Sequence, residues 1–507
     1  MNIKLWLHDL DRDRALLVLL SFFTLASAIV RLYGIGQRHI VYDEGVHAYW
    51  SWKLLTEGTY TYHGQFHGPI LYYISALTFK FTNASVTVGR IIIAVSTLPM
   101  IFGLHLFKDT FPRPGLAFAG GVLALHPLVL RTARFYRNDL LTLTFLVLAL
   151  GVFSSYRVQP TRRRAIIIGV LVSGMIATKE ISYLLILFLL APIALFTYAE
   201  TRFTDRSFTD ALDHYLPQRH LTALLVSATV GVLVLYSGWP PRPHLAPVYL
   251  LDGIQTWVSR GSGTVRPLYY ITLFASEAPL ILALAAVGCL YTFLQPRATF
   301  DRWLIIAWLG LTSVILSLYT HQNWHLQLFI FTPMVILAGV GLTETVSYTL
   351  RWASSRDTDL VTTATPVLIN GIAVCLILLL QVVAPAYALP GLTTDARPDY
   401  TDSMAEYATD QAAETGCPLY LGTDQPWLWP DRWHLRHYQG DVAWVSGWPP
   451  SVVWKDGGFT TGHTQASTPA VVAKKQPIPA LENNSSMQVA RFGWWRVYTP
   501  KNGYHCG

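Results

Sequence analysis

Two adjacent carboxylates, Asp43 and Glu44, stand in the stretch VYDEGVHAYW, shortly after an apolar run that ends at Val30. A carboxylate beside hydrocarbon is costly unless water, a cation or a metal compensates it. The chemistry open to the pair is a general base on Asp43, or ligation of a divalent cation by one of the two. The structural alternative is capping of the helix EGVHAYWSWKLLTEG, because Asp suits an N-cap and Glu suits the first turn. In YHGQFHGPILYY, His63 and His67 are four apart. That spacing would suit a metal on a helix, but the glycines argue against a helix there. His67 opens the next helix, where phosphate is favoured, and is a candidate for touching substrate or metal. In RTARFYRNDLLTL, Arg131, Arg134 and Arg137 crowd one loop and Asp139 opens the following segment. Guanidinium forks fit phosphate oxygens, and Asp139 either orients an arginine, meets the acceptor or caps its helix.

Three further groups interrupt apolar segments. Lys179 and Glu180 form a tight corner in MIATKEISYLL, where lysine offers a point charge to a lipid phosphate or the pair is a solvated turn. Glu277 lies in RPLYYITLFASEAPLILAL; a carboxylate inside a span is either functional or a hydrogen-bonded packing residue. LYTHQNWHLQLF supplies His321, Gln322, Asn323, Trp324 and His325, a polar corner suited to a sugar, with Trp324 equally suited as an interfacial anchor.

The elements that hold these residues are legible from composition. The chain has 507 residues, 52% hydrophobic and 13% charged. A soluble chain carries about a quarter charged residues, so this is a polytopic helical membrane protein. The net charge of +7 is then a topology signal rather than a nucleic-acid signature. About eleven spans are expected, at 15–34, 86–107, 114–131, 139–156, 164–179, 181–199, 220–237, 269–294, 303–320, 325–348 and 362–386. The first is read as a retained helix. Pro69–Phe81 is too short to cross and is expected to lie along the outer interface. This parity keeps Lys108, Arg113, Arg162, Arg163, Arg164, Arg297, Arg302, Arg351 and Arg356 cytoplasmic. The N-terminus is then cytoplasmic, and all the polar interruptions fall on the outer face. Their gathering on one side points to one shared cavity.

Residues 1–388 are read as the membrane domain and 389–507 as a small extracytoplasmic α/β domain. CPLYLGTDQPWLWPDRWHLRHYQGDVAWV alternates a β-like run, a turn, a helix near Trp433–Tyr438 and a second β-like run, and FGWWRVYTP reads as the last strand. Cys289 and Cys375 fall in apolar runs, whereas Cys417 and Cys506 could pair if their domain is outside the cell.

In order and sidedness, YDEGVHAYW, FHGPILYYISAL and RFYRNDLL resemble the GT-C superfamily of polytopic glycosyltransferases, in its PMT/ArnT-like branch. SEAPL, HQNW and WPDRWHLRHY bring the chain nearest to the prokaryotic family labelled flippase activity-associated. The resemblance implies a polyprenyl-phosphate sugar as donor and a glycan, lipid or protein hydroxyl as acceptor, at a cell membrane. It implies Asp43 as catalytic base, Glu44 as its support or a metal ligand, and Asp139 as the second acidic position. A divalent metal is an implied cofactor, with Glu44 and His67 as candidate ligands. Candidate substrate contacts are His67, Arg134, Arg137, Lys179, Glu180, Glu277, His321, Asn323 and Trp324. His67 stands where lipid A transferases carry a lysine-bearing motif, which shifts the phosphate role toward Arg137 and Lys179. The rival expectation is a lipid-linked sugar flippase. An oligosaccharyltransferase ranks lower, because GWWRVYT has Arg496 where a WWD motif needs Asp.

Overall fold

The computed structural model describes residues 3–354 except 38–39, 41, 63, 65–66, 260–267, 296–298 and 319–323, and beyond these parts of 407–414 and seven strands between Leu419 and Pro500. In hydrocarbon every backbone N–H and C=O must be paired within its own segment, so long apolar runs become helices. Seven described helices are long and apolar enough to cross a membrane, or nine if each of two bent pairs is one span. The chain is a multi-pass membrane protein.

The bends occur at prolines, which lack an N–H and push the preceding residue out of the helical region. Arg113–Leu125 and Pro127–Ala133 meet at 55°, and Tyr269–Glu277 and Pro279–Leu294 at 114°. Between them His126 takes ψ 134° and Ala278 ψ 49°. The continuous spans expected at 114–131 and 269–294 are therefore broken. The span expected at 164–179 is the helix Arg162–Ile176, 15 residues long. At about 1.5 Å per residue it falls short of the roughly 30 Å hydrocarbon core. The expected span at 362–386 lies outside the described residues.

Helix Leu328–Ser354 is the buried hub, packed against Arg113–Leu125, Pro279–Leu294 and Phe300–Leu318. Glycines let the backbones touch. A Cβ on Gly341 would lie 2.0 Å from the Leu284 carbonyl oxygen, one on Gly288 2.1 Å from that of Leu337, and one on Gly339 2.2 Å from that of Gly115. Helix Leu221–Leu235 is the opposite case: Leu225, Val226, Val230 and Val234 are all exposed, the pattern of a face turned to lipid.

Polar groups gather at both ends of the bundle. Asp139 and Arg157 sit at opposite ends of the 20-residue helix Asp139–Val158. Near Arg157, Nη1 meets Asp301 Oδ2 at 3.3 Å and the guanidinium stacks over Phe300. Lys108 and Arg113 both reach Asp13, at 2.8 and 2.5 Å. The Asp139 end holds the candidate site. There the 12-residue helix Ile70–Phe81, too short to cross, buries Leu71, Tyr72, Ser75, Ala76 and Phe79 along one face.

The chain divides into two compact units, one of Met1–Ile35, Lys53–Asn83 and Thr87–Pro390, the other of Gly36–Trp52, Ala84–Val86 and Gly391–Gly507. The second contains a mixed seven-stranded sheet, made of β1 (Leu419–Gly422), β2 (Val442–Val445), β3 (Val453–Lys455), β4 (Gly458–Thr460), β5 (Val471–Lys474), β6 (Met487–Phe492) and β7 (Trp495–Pro500), in the order β4-β3-β2-β1-β5-β7-β6. β1 runs parallel to β2 and β5, with Leu419 opposite Val442 and Val471; the outer pairs are antiparallel. Parallel neighbours need a crossover of a dozen or more residues, and 423–441 supplies it. The helix expected at Trp433–Tyr438 lies outside the described residues.

Candidate active site

The first loop is strapped to the corner at Lys179–Glu180 by backbone hydrogen bonds. Gly68 N–H donates to Thr178 O at 3.2 Å and Ile70 N–H to Ala177 O at 3.0 Å. The approach is close enough that a Cβ on Gly68 would sit 2.2 Å from Ala177 O. His67, just before it, has φ +69°, a left-handed conformation that a non-glycine residue rarely keeps without compensation. The compensation is visible. His67 Nδ1 lies 2.8 Å from Glu180 Oε2, and Tyr62 donates its hydroxyl to Glu180 Oε1 at 3.2 Å. Tyr60 and Trp239 exchange backbone bonds of 2.8 Å in both directions, and Gly64 N–H donates to Asp252 Oδ2 at 2.8 Å. Burial would raise the Glu180 carboxyl, but the nearby His67 charge and hydrogen bond hold it below the ordinary carboxylate range.

Beside this lies a second, more strongly ionic group. Asp139 is fully buried at the start of its helix. Arg137 Nε donates to Asp139 Oδ2 at 3.0 Å and Lys179 Nζ donates to Oδ1. His325 Nε2 is 3.0 Å from Arg137 Nη2 and 4.0 Å from Asp139 Oδ1. Arginine nitrogens only donate, so His325 Nε2 accepts, and the ring is neutral with its proton on Nδ1. Burial lowers the Lys179 ammonium from its ordinary value, with the Asp139 charge opposing. Two cations thus share one carboxylate in a buried place. A third link joins the two groups: Asn138 Nδ2 donates to Thr178 O at 2.7 Å. Hence Asp139, Arg137, Lys179, Glu180 and His67, read from separate stretches of sequence, meet at one end of the bundle.

Other expected residues fare differently. Arg134 is spent on the end of the first helix, where Nη1 donates to the carbonyls of Val30, Arg31 and Tyr33 at 2.9, 3.1 and 2.5 Å. That guanidinium satisfies orphan helix carbonyls rather than waiting for phosphate. Glu277 is not inside a continuous span: it is exposed at the last residue of Tyr269–Glu277, beside the sharp bend. Asp43 and Glu44 occupy the first turn of helix Tyr42–Glu57, with Glu44 buried; both belong to the unit that contains the sheet. His63, His321 and Asn323 lie outside the described residues, as does the side chain of Trp324, which opens the short turn Trp324–Gln327. Among the described residues no group of three or more His, Cys, Asp or Glu side chains could hold a metal ion. Tyr62, Asn138 and Asp252 carried no motif. His325 stood in the recognised corner, and its contact with Arg137 was not legible.

Residues 66–212, which carry His67, Arg137, Asp139, Lys179 and Glu180, match the family model described as dolichyl-phosphate-mannose-protein mannosyltransferase. No curated protein matches the sequence. Among solved structures, the chain resembles ArnT from Cupriavidus metallidurans bound to undecaprenyl phosphate, with TM-score 0.64 and 17% identity over 94% of this chain and 97% of that one. It also resembles the oligosaccharyltransferase AglB from Archaeoglobus fulgidus, in complex with an inhibitory peptide and a dolichol-phosphate, with TM-score 0.58 and 13% identity over 84% of this chain and 64% of that one. The arabinofuranosyltransferase AftD from Mycobacteria gives TM-score 0.54 and 14% identity over 96% of this chain and 40% of that one. The chain thus spans under two thirds of AglB and AftD. At these identities the likeness is one of architecture, and over nearly its whole length the chain has the fold seen in ArnT.

Proposed function

We propose that the protein is a membrane glycosyltransferase that moves a sugar from a polyprenyl-phosphate donor to a hydroxyl acceptor on the outer face, with inversion. The observation that carries the reading is the buried meeting of Arg137 and Lys179 on Asp139, next to the His67–Glu180 pair. Two cationic donors preformed at a bundle end suit a lipid phosphate, whose charge grows as the glycosidic bond breaks. Asp43 removes the acceptor proton while the hydroxyl oxygen attacks the anomeric carbon. The bond from that carbon to the phosphate oxygen breaks, and the polyprenyl phosphate leaves with the electron pair. A carboxylate within reach of the acceptor hydroxyl can serve as this base. Lys179 and Arg137 stabilise the leaving phosphate, so its protonation is not required. The unit holding the sheet is assigned to acceptor selection outside the cell. ArnT, solved with undecaprenyl phosphate, and AglB, solved with a dolichol-phosphate, support the class of lipid.

The test is transfer by the purified, membrane-reconstituted chain from labelled polyprenyl-phosphate sugars to a panel of alcohol, glycan and peptide acceptors. Asp43→Asn is expected to abolish transfer with thermal stability retained; full activity in that variant removes Asp43 from the mechanism. Lipid scrambling without any transfer would instead support the flippase reading.

A further inference from the structure

One buried side chain at this corner is left half-satisfied. Asn138 is 1% exposed, and its Oδ1 accepts no hydrogen bond. The orientation of the amide is settled by chemistry. Its partner, Thr178 O, is a carbonyl that can only accept, so the atom 2.7 Å from it must be the NH2 nitrogen and the oxygen must be the other atom. Thr178 O also takes the Gly68 N–H at 3.2 Å, so the amide is clamped between the 137–139 turn and the loop that carries His67. Asn138 stands at the N-cap of helix Asp139–Val158, where an asparagine oxygen normally accepts an N–H from the first turn. Here it makes no such bond. The oxygen is thus turned from its nearest local partners, and a buried carbonyl without a donor is costly enough that native proteins rarely keep one idle.

An amide oxygen can only accept. It cannot face the oxygens of an ionised phosphate, which also only accept, so the group that satisfies it must carry an O–H or N–H. Building on the transferase reading above, we propose that Asn138 Oδ1 accepts a hydrogen bond from a sugar hydroxyl beside the bond being broken or formed. Asn138 is then a binding residue that reads the glycosyl group, while Arg137 and Lys179, which meet on the neighbouring Asp139, hold phosphate. The chemistry is shared by two sources, a hydroxyl of the donor sugar and one of a glycan acceptor.

The experiment measures binding of bare polyprenyl phosphate, polyprenyl-phosphate mannose or glucose, and their mono-deoxy analogues, to the reconstituted full chain and to Asn138→Ala. The wild type is expected to lose about tenfold in affinity for one deoxy donor, the scale of a single buried hydrogen bond. Asn138→Ala should lose the same factor for the parent donor, nothing further for that analogue, and nothing for the bare lipid phosphate. Insensitivity to every deoxy donor, with about tenfold slower transfer to one deoxy glycan acceptor that Asn138→Ala no longer distinguishes, assigns the hydroxyl to the acceptor. Equal weakening of bare and sugar-bearing lipid by Asn138→Ala overturns the proposal in favour of a purely structural amide. So does insensitivity of the wild type to every deoxy donor and acceptor, a result that decides even if the variant fails to fold. In both cases the transferase reading stands, whereas failure of the wild type to bind any of the lipids removes that reading and this inference together.

Discussion

At the level of single residues, what matters is which charges are buried together. Lys179 and Arg137 share Asp139, so removing one member leaves the others uncompensated in a low-dielectric place. Lys179→Met is expected to lower transfer about 100-fold or more, the usual size of a lost charge-stabilising donor, read as kcat with saturating donor. Arg134→Lys should act differently: with its target the carbonyls closing the first helix, it should lower thermal stability and leave kcat within a few-fold. Glu180 gives a pH prediction. Its carboxyl is held below the ordinary value, so the ion stabilises the fold above the unfolded-state pKa of about 4.3 and that contribution is lost as pH falls through the lower, folded value. Thermal denaturation between about pH 6 and 3 should show stability falling in the acid range, with a shallower fall in Glu180→Gln. Asp139, Lys179 and Glu180 stand out in the sequence because charged residues that interrupt apolar runs are rare, and His67 because it opens the next helix. It could not see that Arg134 faces helix carbonyls and Arg137 faces Asp139, because three residues of spacing in an irregular turn do not set side-chain direction.

At the scale of elements, the helices follow from apolar length and their breaks from proline, but their contacts follow from glycine. Gly341→Leu must push the added side chain against the Leu284 backbone oxygen, which lies 2.0 Å from an ideal Cβ. Overpacking of this kind costs about 1–3 kcal/mol or more, and a lowered melting temperature in detergent should report it. Gly310→Ala is the control, since nothing lies within 4 Å of its Cβ position and alanine is the better helix former. It should be neutral or stabilising. The prolines at 127 and 279 were plain in the sequence, yet the size of each bend was not. Proline removes a hydrogen bond and admits a bend, while the angle of 55° or 114° is set by what the two halves pack against.

At the scale of the whole molecule, the basic end and the Asp139 end of the bundle should face opposite solvents. In a cysteine-free background, Arg242→Cys should react with a membrane-impermeant maleimide added to intact cells. Arg163→Cys should react only after permeabilisation. The reverse pattern would move Asp139, Lys179 and His67 to the cytoplasmic face and overturn the proposed use of an outer-face donor. The rule behind the expectation is the excess of Lys and Arg in cytoplasmic loops. It was applied to composition alone, and the helix bounded by Asp139 and Arg157 is consistent with it, since those two residues end up a full span apart.

Composition and local pattern alone establish that this chain is a membrane protein, roughly where its helices run, and which polar residues interrupt its apolar runs. Those conclusions rest on local quantities: the length of an apolar run, the position of a proline, the charge of a loop. It takes the three-dimensional packing to bring the corner at 177–180 to the loop at 67–69 and the turn at 137–139, to place His325 rather than Arg134 beside the Asp139 group, and to leave the Asn138 oxygen without a donor. Such pairings join residues tens to hundreds of positions apart. They are chosen by which helix backbones can approach closely and which buried charges must be paired, and no stretch of sequence carries that choice on its own.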